Sequence, residues 1–67
     1  MKASNLRVER TKAGMTQAEL AAKAGVSRYS IHNIETGRYA DCSVKLLGSI
    51  AKALNLPVTT LFFDIFD

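Results

Sequence analysis

The chain has 67 residues, 48% of them hydrophobic, with nine Lys/Arg against six Asp/Glu for a net charge of +3. That length suffices for one small domain, which buries only about 60% of its unfolded surface, and the apolar content is too high for a disordered tail. No apolar run approaches the roughly 20 residues needed to cross a bilayer; the opening Met1-Lys2-Ala3-Ser4-Asn5 leads into no signal-peptide core; and the single Cys cannot form an internal disulfide.

These features predict one soluble, intracellular domain over 1–67, with 63–67 as an apolar C-terminal extension. The charge is uneven. Residues 1–52 carry all nine bases and four acids, Glu9, Glu19, Glu35 and Asp41, a net of +5, whereas 53–67 carry only Asp64 and Asp67. A basic body with an apolar, slightly acidic end suits a polyanion binder with a separate partner surface; ordinary solubilising charge explains it equally well.

Taken in chain order, the helix signals define five segments, roughly 3–13, 16–23, 27–36, 42–54 and 57–63, punctuated by Gly14, Gly25 and Gly37. Thr16-Gln17-Ala18-Glu19 is a capping box, and Met15 with Leu20 forms a hydrophobic staple across it. Ser27 caps the third segment, with Val26 and Ile31 in the same staple relation, and Asp41 is placed to cap the fourth with Cys42 at its first position. Strand signals are poor: the only alternating stretch is Phe62-Phe63-Asp64-Ile65-Phe66-Asp67.

The second and third helices are joined only by Ala24-Gly25-Val26, and so tight a turn sets them at a wide angle. Small residues must then line the crossing, and Ala18, Ala21 and Ala22 supply them. Ile31 and Ile34 point from the third helix into the core, which leaves Arg28, Tyr29, His32 and Asn33 on its outer face. An apolar back and a polar front are what reading a DNA major groove requires.

TQAELAAKAGVSRYSIHNIETG, from Thr16 to Gly37, resembles the helix-turn-helix of the Cro/CI-type family, which includes lambdoid phage repressors and many small bacterial regulators. The likeness rests on Gln17, Ala21, Gly25, Ile31, Ile34 and the closing Glu35-Thr36-Gly37, and with Asn5 to Arg10 and Ile50 to Leu54 it spans about 5–62. It implies an all-α, compact five-helix lambda-repressor-like domain that binds double-stranded DNA.

The resemblance also implies residue roles. Gln17 would bond a phosphate at a helix amino end. Ser27, Arg28 and Tyr29 would lie nearest the bases, with Arg28 forked onto guanine or swung to a phosphate, Tyr29 on a thymine methyl or a phosphate, and Asn33 on adenine or the sugar-phosphate edge. Ser27 and Ser30, by the helix start, and Arg38 and Tyr39, in the loop that follows it, would serve the DNA backbone. His32 would sit at the groove edge, where a protonation-dependent phosphate contact is the sharper reading. Arg10 and Glu35 match a partly buried ion pair between the first and third helices. Many relatives carry proline where this chain has Cys42.

Members of the family usually bind as twofold dimers on half-sites about 34 Å apart. Leu61 and Phe62 are expected to cover the core, while Phe63, Ile65 and Phe66 are assigned to a homodimer contact, against the alternative that they fold back near Val8. Gly48, inside a helix, is explained either by close approach of another helix or by a neutral substitution. No metal site is expected from one His and one Cys, no cofactor, and no enzyme, since neither a nucleophile with an oriented base nor a phosphate-cradling glycine loop is present. The implied role is a cytoplasmic, nucleoid-associated transcriptional regulator, most often a repressor in this family; an antitoxin or other protein-binding module on the same fold is the alternative.

Overall fold

A computed structural model describes residues 5–38 and 43–62 of the chain. Among the described residues there are five helices and no strand: α1 Leu6–Lys12, α2 Gln17–Ala24, α3 Arg28–Glu35, α4 Val44–Ala53 and α5 Val58–Leu61. The order and number match the sequence expectation, and the fold is all-α with a helix-turn-helix formed by α2 and α3.

The helices begin and end on local chemistry. At α2 the capping box closes as expected: Thr16 Oγ1 accepts from Glu19 N at 3.0 Å and Glu19 Oε1 accepts from Thr16 N at 2.8 Å. Ser27 caps α3 by accepting from Ser30 N at 3.0 Å. α4 differs from the expectation. Its N-cap is Ser43, whose Oγ accepts from Leu46 N at 3.0 Å, so the helix starts two residues later than 42. Asp41 and Cys42 fall outside the described residues. The first four helices share one ending, a residue in the left-handed region followed by a long backbone bond reaching back over the last turn. Gly25 (φ 73°) does this for α2, with Val26 N donating to Ala21 O at 3.0 Å. Asn55 (φ 60°) does it for α4, with Leu56 N donating to Ala51 O at 3.0 Å.

The core is built where these helices meet. Leu6, Leu20, Ile31, Ile34, Leu47, Ile50, Leu61 and Phe62 are fully buried, joined by Ala21, Ala51 and Ala53, with Met15 and Val26 packed half-buried against them. Ala21 alone of the three alanines assigned to the α2 crossing is buried; Ala18 and Ala22 face solvent. α2 packs against both α3 and α4, and both lie along the stripe of Leu20, Ala21 and Ala24, so its other faces stay open. Leu61 and Phe62 cover the core as expected. Among the described residues Gly48 has no close neighbour outside its own helix: a Cβ built there meets nothing within 4 Å.

The two ends of the described chain are tied together. Asn5 N donates to Leu61 O at 2.9 Å and its Nδ2 donates to Thr60 O at 3.1 Å. The Asn5 side chain thus clamps α5 instead of capping α1, and α1 is held in place beside α3.

Candidate nucleic-acid interface

α3 has two faces because its apolar residues fall three apart. Ile31 and Ile34 are completely buried, which turns Arg28, Tyr29 and His32 outward. Tyr29 is 73% exposed, an unusual position for a large aromatic ring, with no covering surface among the described residues. Gln17, at the first position of α2, comes alongside. Gln17, Arg28, Tyr29 and His32 together line an open groove of about 380 Å³.

A second groove of about 270 Å³ shares Gln17 and His32 and runs on toward α1, lined further by Arg7, Arg10, Glu35 and Thr36. Beneath it lies a charge network. Arg10 grips Glu35 with two prongs, Nε to Oε2 at 2.6 Å and Nη2 to Oε1 at 3.1 Å, and sends Nη1 to Met15 O at 2.7 Å. Gln17 Nε2 donates to Glu35 Oε1 at 3.1 Å. The side chains of Arg10 and Glu35 are 13% and 4% exposed, so the pair is largely removed from water.

Burial pushes the Glu35 carboxyl up, but the hydrogen bonds from Arg10 and Gln17 and the charges of Arg10 and Arg7 outweigh it and hold the group below its ordinary value. The hydrogen bond to Glu35 raises the Arg10 guanidinium above its ordinary value. Glu35 is therefore ionised and its charge is compensated at neutral pH.

The other residues singled out in the sequence are distributed as follows. Ser27 and Ser30 share a hydroxyl–hydroxyl bond of 3.0 Å, which orients both within the helix start. Asn33 is half-buried at the flank of the exposed face, and Arg38 is exposed just past α3; neither lines the two grooves. Tyr39 and the proposed dimer residues Phe63, Ile65 and Phe66 lie outside the described residues. Sequence reasoning missed Arg7 and Thr36. Thr36 was within reach, because it follows Arg28 and His32 at four-residue steps along one helix face.

The match to known proteins agrees with this geometry. A family model described as helix-turn-helix matches residues 6–61. An uncharacterised HTH-type transcriptional regulator of Archaeoglobus fulgidus is 44% identical over 64 residues, which covers 96% of this chain and 87% of the relative. Another from Methanocaldococcus jannaschii is 41% identical over 59 residues, covering 88% of each. A second Archaeoglobus fulgidus protein of the same description is 43% identical over 58 residues, covering 87% of this chain and 78% of the relative. With its paired α2 and α3, its outward Arg28, Tyr29 and His32 and these relatives, the chain belongs to the Cro/CI-type helix-turn-helix family of DNA-binding transcriptional regulators.

Proposed function

We propose that the chain binds a specific double-stranded operator as a homodimer and represses transcription by excluding polymerase from it, acting in the cytoplasm on the nucleoid. The observation that carries this reading is the two-faced α3: Ile31 and Ile34 lock it to the core while Arg28, Tyr29 and His32 stand in one groove with Gln17. Arg28 is the base reader, forked onto guanine O6 and N7, an interaction that discriminates by roughly 1–3 kcal/mol. Tyr29 packs on a thymine methyl, and Asn33 reads adenine from the flank of the helix. Gln17, Ser27, Ser30, His32, Arg38 and Tyr39 hold the sugar-phosphate backbone and set the register without selecting sequence. Phe63, Ile65 and Phe66 supply the dimer contact that doubles the half-site.

Selection of bound duplexes from a random pool tests binding, specificity and twofold symmetry at once. The expected product is a palindrome, and Arg28→Ala is expected to relax preference at one position in each half-site. A pool that emerges unenriched from selection refutes the reading, as does binding that barely responds to salt, which is the behaviour of an apolar protein contact.

A further inference from the structure

The groove under α1 has a cation that forms no hydrogen-bonded ion pair among the described residues, although its charge helps to keep Glu35 ionised. Arg7 is exposed on α1, one turn before Arg10. It lines the same groove as Gln17, His32 and Thr36, and that groove joins the one in front of α3 through Gln17 and His32. The nearby acid does not neutralise it. Glu35 is held by both prongs of Arg10 at 2.6 and 3.1 Å, and no ion pair to Arg7 forms among the described residues. Two arginines against one buried carboxylate leave one positive charge in excess at the mouth of the groove. The Thr36 hydroxyl donates back to the carbonyls of His32 and Asn33, so it forms wall rather than donor.

We propose that Arg7 holds a phosphate of the DNA backbone, so that α1 extends the contact by one phosphate beyond the helix-turn-helix. The assignment rests on the DNA-binding reading above. Its geometry is that of a contiguous wall, from Arg28 through Gln17 and His32 to Arg7, along which one strand's backbone passes. Arg7 carries no base-reading role, because it lines the groove at the carboxyl end of α3 and not the one that holds Arg28 and Tyr29, and its contribution is independent of sequence. The Glu35 carboxylate does not repel the phosphate, since it is 4% exposed and compensated by Arg10.

The test uses the full chain and a duplex that the wild-type protein selects from a random pool. Affinity is measured between 50 and 200 mM salt for wild type, Arg7→Gln, Arg7→Lys and Arg28→Ala, alongside duplexes carrying one neutral methylphosphonate at each backbone position in turn. Arg7→Gln removes one phosphate contact in each half-site, two per dimer, and is expected to lower the log–log salt slope by about 1.8, so its deficit relative to wild type shrinks about 12-fold across that range. Arg7→Lys retains the slope. One methylphosphonate position in each half-site, outermost on the α1 side, weakens wild type and leaves Arg7→Gln unchanged.

A wild-type slope in Arg7→Gln, with Arg28→Ala still impaired, overturns the Arg7 assignment and leaves the DNA reading standing. Salt-insensitive binding by all four proteins overturns that reading itself. Should Arg7→Gln misfold, the methylphosphonate series on wild type decides alone: no sensitive phosphate on the α1 side sinks the proposal.

Discussion

Replacing Glu35 by Gln tests the joint on which α3 is mounted. The carboxylate accepts three hydrogen bonds, two from Arg10 at 2.6 and 3.1 Å and one from Gln17 at 3.1 Å. With Glu35 4% and Arg10 13% exposed, the change strands a guanidinium that water reaches only at its edge. Breaking a buried pair costs about 3–5 kcal/mol. Gln keeps one carbonyl acceptor, and Arg10 keeps its bond to Met15 O, so about 2–3 kcal/mol is expected. A 67-residue domain has about 3–10 kcal/mol in all, so this removes a large share of it. Urea unfolding followed by far-ultraviolet circular dichroism reads the effect, with a midpoint lowered by about 2–3 M for a slope near 1 kcal/mol/M. A loss below about 0.5 kcal/mol, the range of ordinary surface changes, would falsify the inference that the pair is sequestered from water.

The same carboxyl sets an acid limit. Its folded pKa lies below the unfolded value of about 4.3, so its contribution is complete above that pH and is lost as pH falls through the folded pKa. The stability gap between wild type and Glu35→Gln, measured in parallel urea titrations, should hold constant above about pH 5 and close below about pH 4; a gap that widens on acidification contradicts the sign. Gly48→Ala is expected to add about 0.5–1 kcal/mol, since the site is inside α4 and the new methyl meets nothing within 4 Å, and thermal melting should rise by about 4–8 °C for each kcal/mol. At Asn55, with φ 60°, substitution by Ala is expected to cost about 1 kcal/mol in urea unfolding, while Gly matches or exceeds wild type. Thr16→Ala removes the acceptor for Glu19 N and should cost about 1 kcal/mol in the same assay; a value near zero means the box does not set the α2 start.

What the sequence made legible was local. The Thr16–Glu19 box, Ser27 as a cap and Gly25 as the turn depend on residues within one helical turn, and the structure realises each of them. The period of Ile31 and Ile34 was enough to fix which side of α3 faces out. Competition between neighbouring signals was not legible. Asp41 and Ser43 are both good caps two residues apart, and Ser43 takes α4. Propensity alone does not separate them, because the choice depends on how Leu47 and Ile50 seat in the core. Ala18 and Ala22 were misplaced for a related reason: small size permits a close crossing anywhere on α2, but only the stripe shared by α3 and α4 is covered. The Gln17–Glu35 bond spans 18 positions and depends on two side-chain rotamers, so no periodicity announces it.

That bond changes what Glu35 is for. A pair that only stabilised the fold would be replaceable: substituting both Arg10 and Glu35 by apolar residues of similar size strands no charge and is often neutral or stabilising. Here, however, one oxygen of Glu35 receives both Arg10 and Gln17. Because a carboxylate only accepts, it takes one of the two Gln17 Nε2 hydrogens and so fixes the orientation of that amide beside the groove. Arg10 brings α1 and the loop before α2 to the same point, through Met15 O at 2.7 Å. One part-buried acid at the end of α3 therefore ties that helix to α1 and to the side chain at the amino end of α2. An apolar pair fills the space and keeps the helices together, but it leaves the Gln17 amide without the acceptor that orders it. The ionic arrangement thus supplies direction as well as cohesion, and its stabilising share follows from how completely its hydrogen bonds are satisfied.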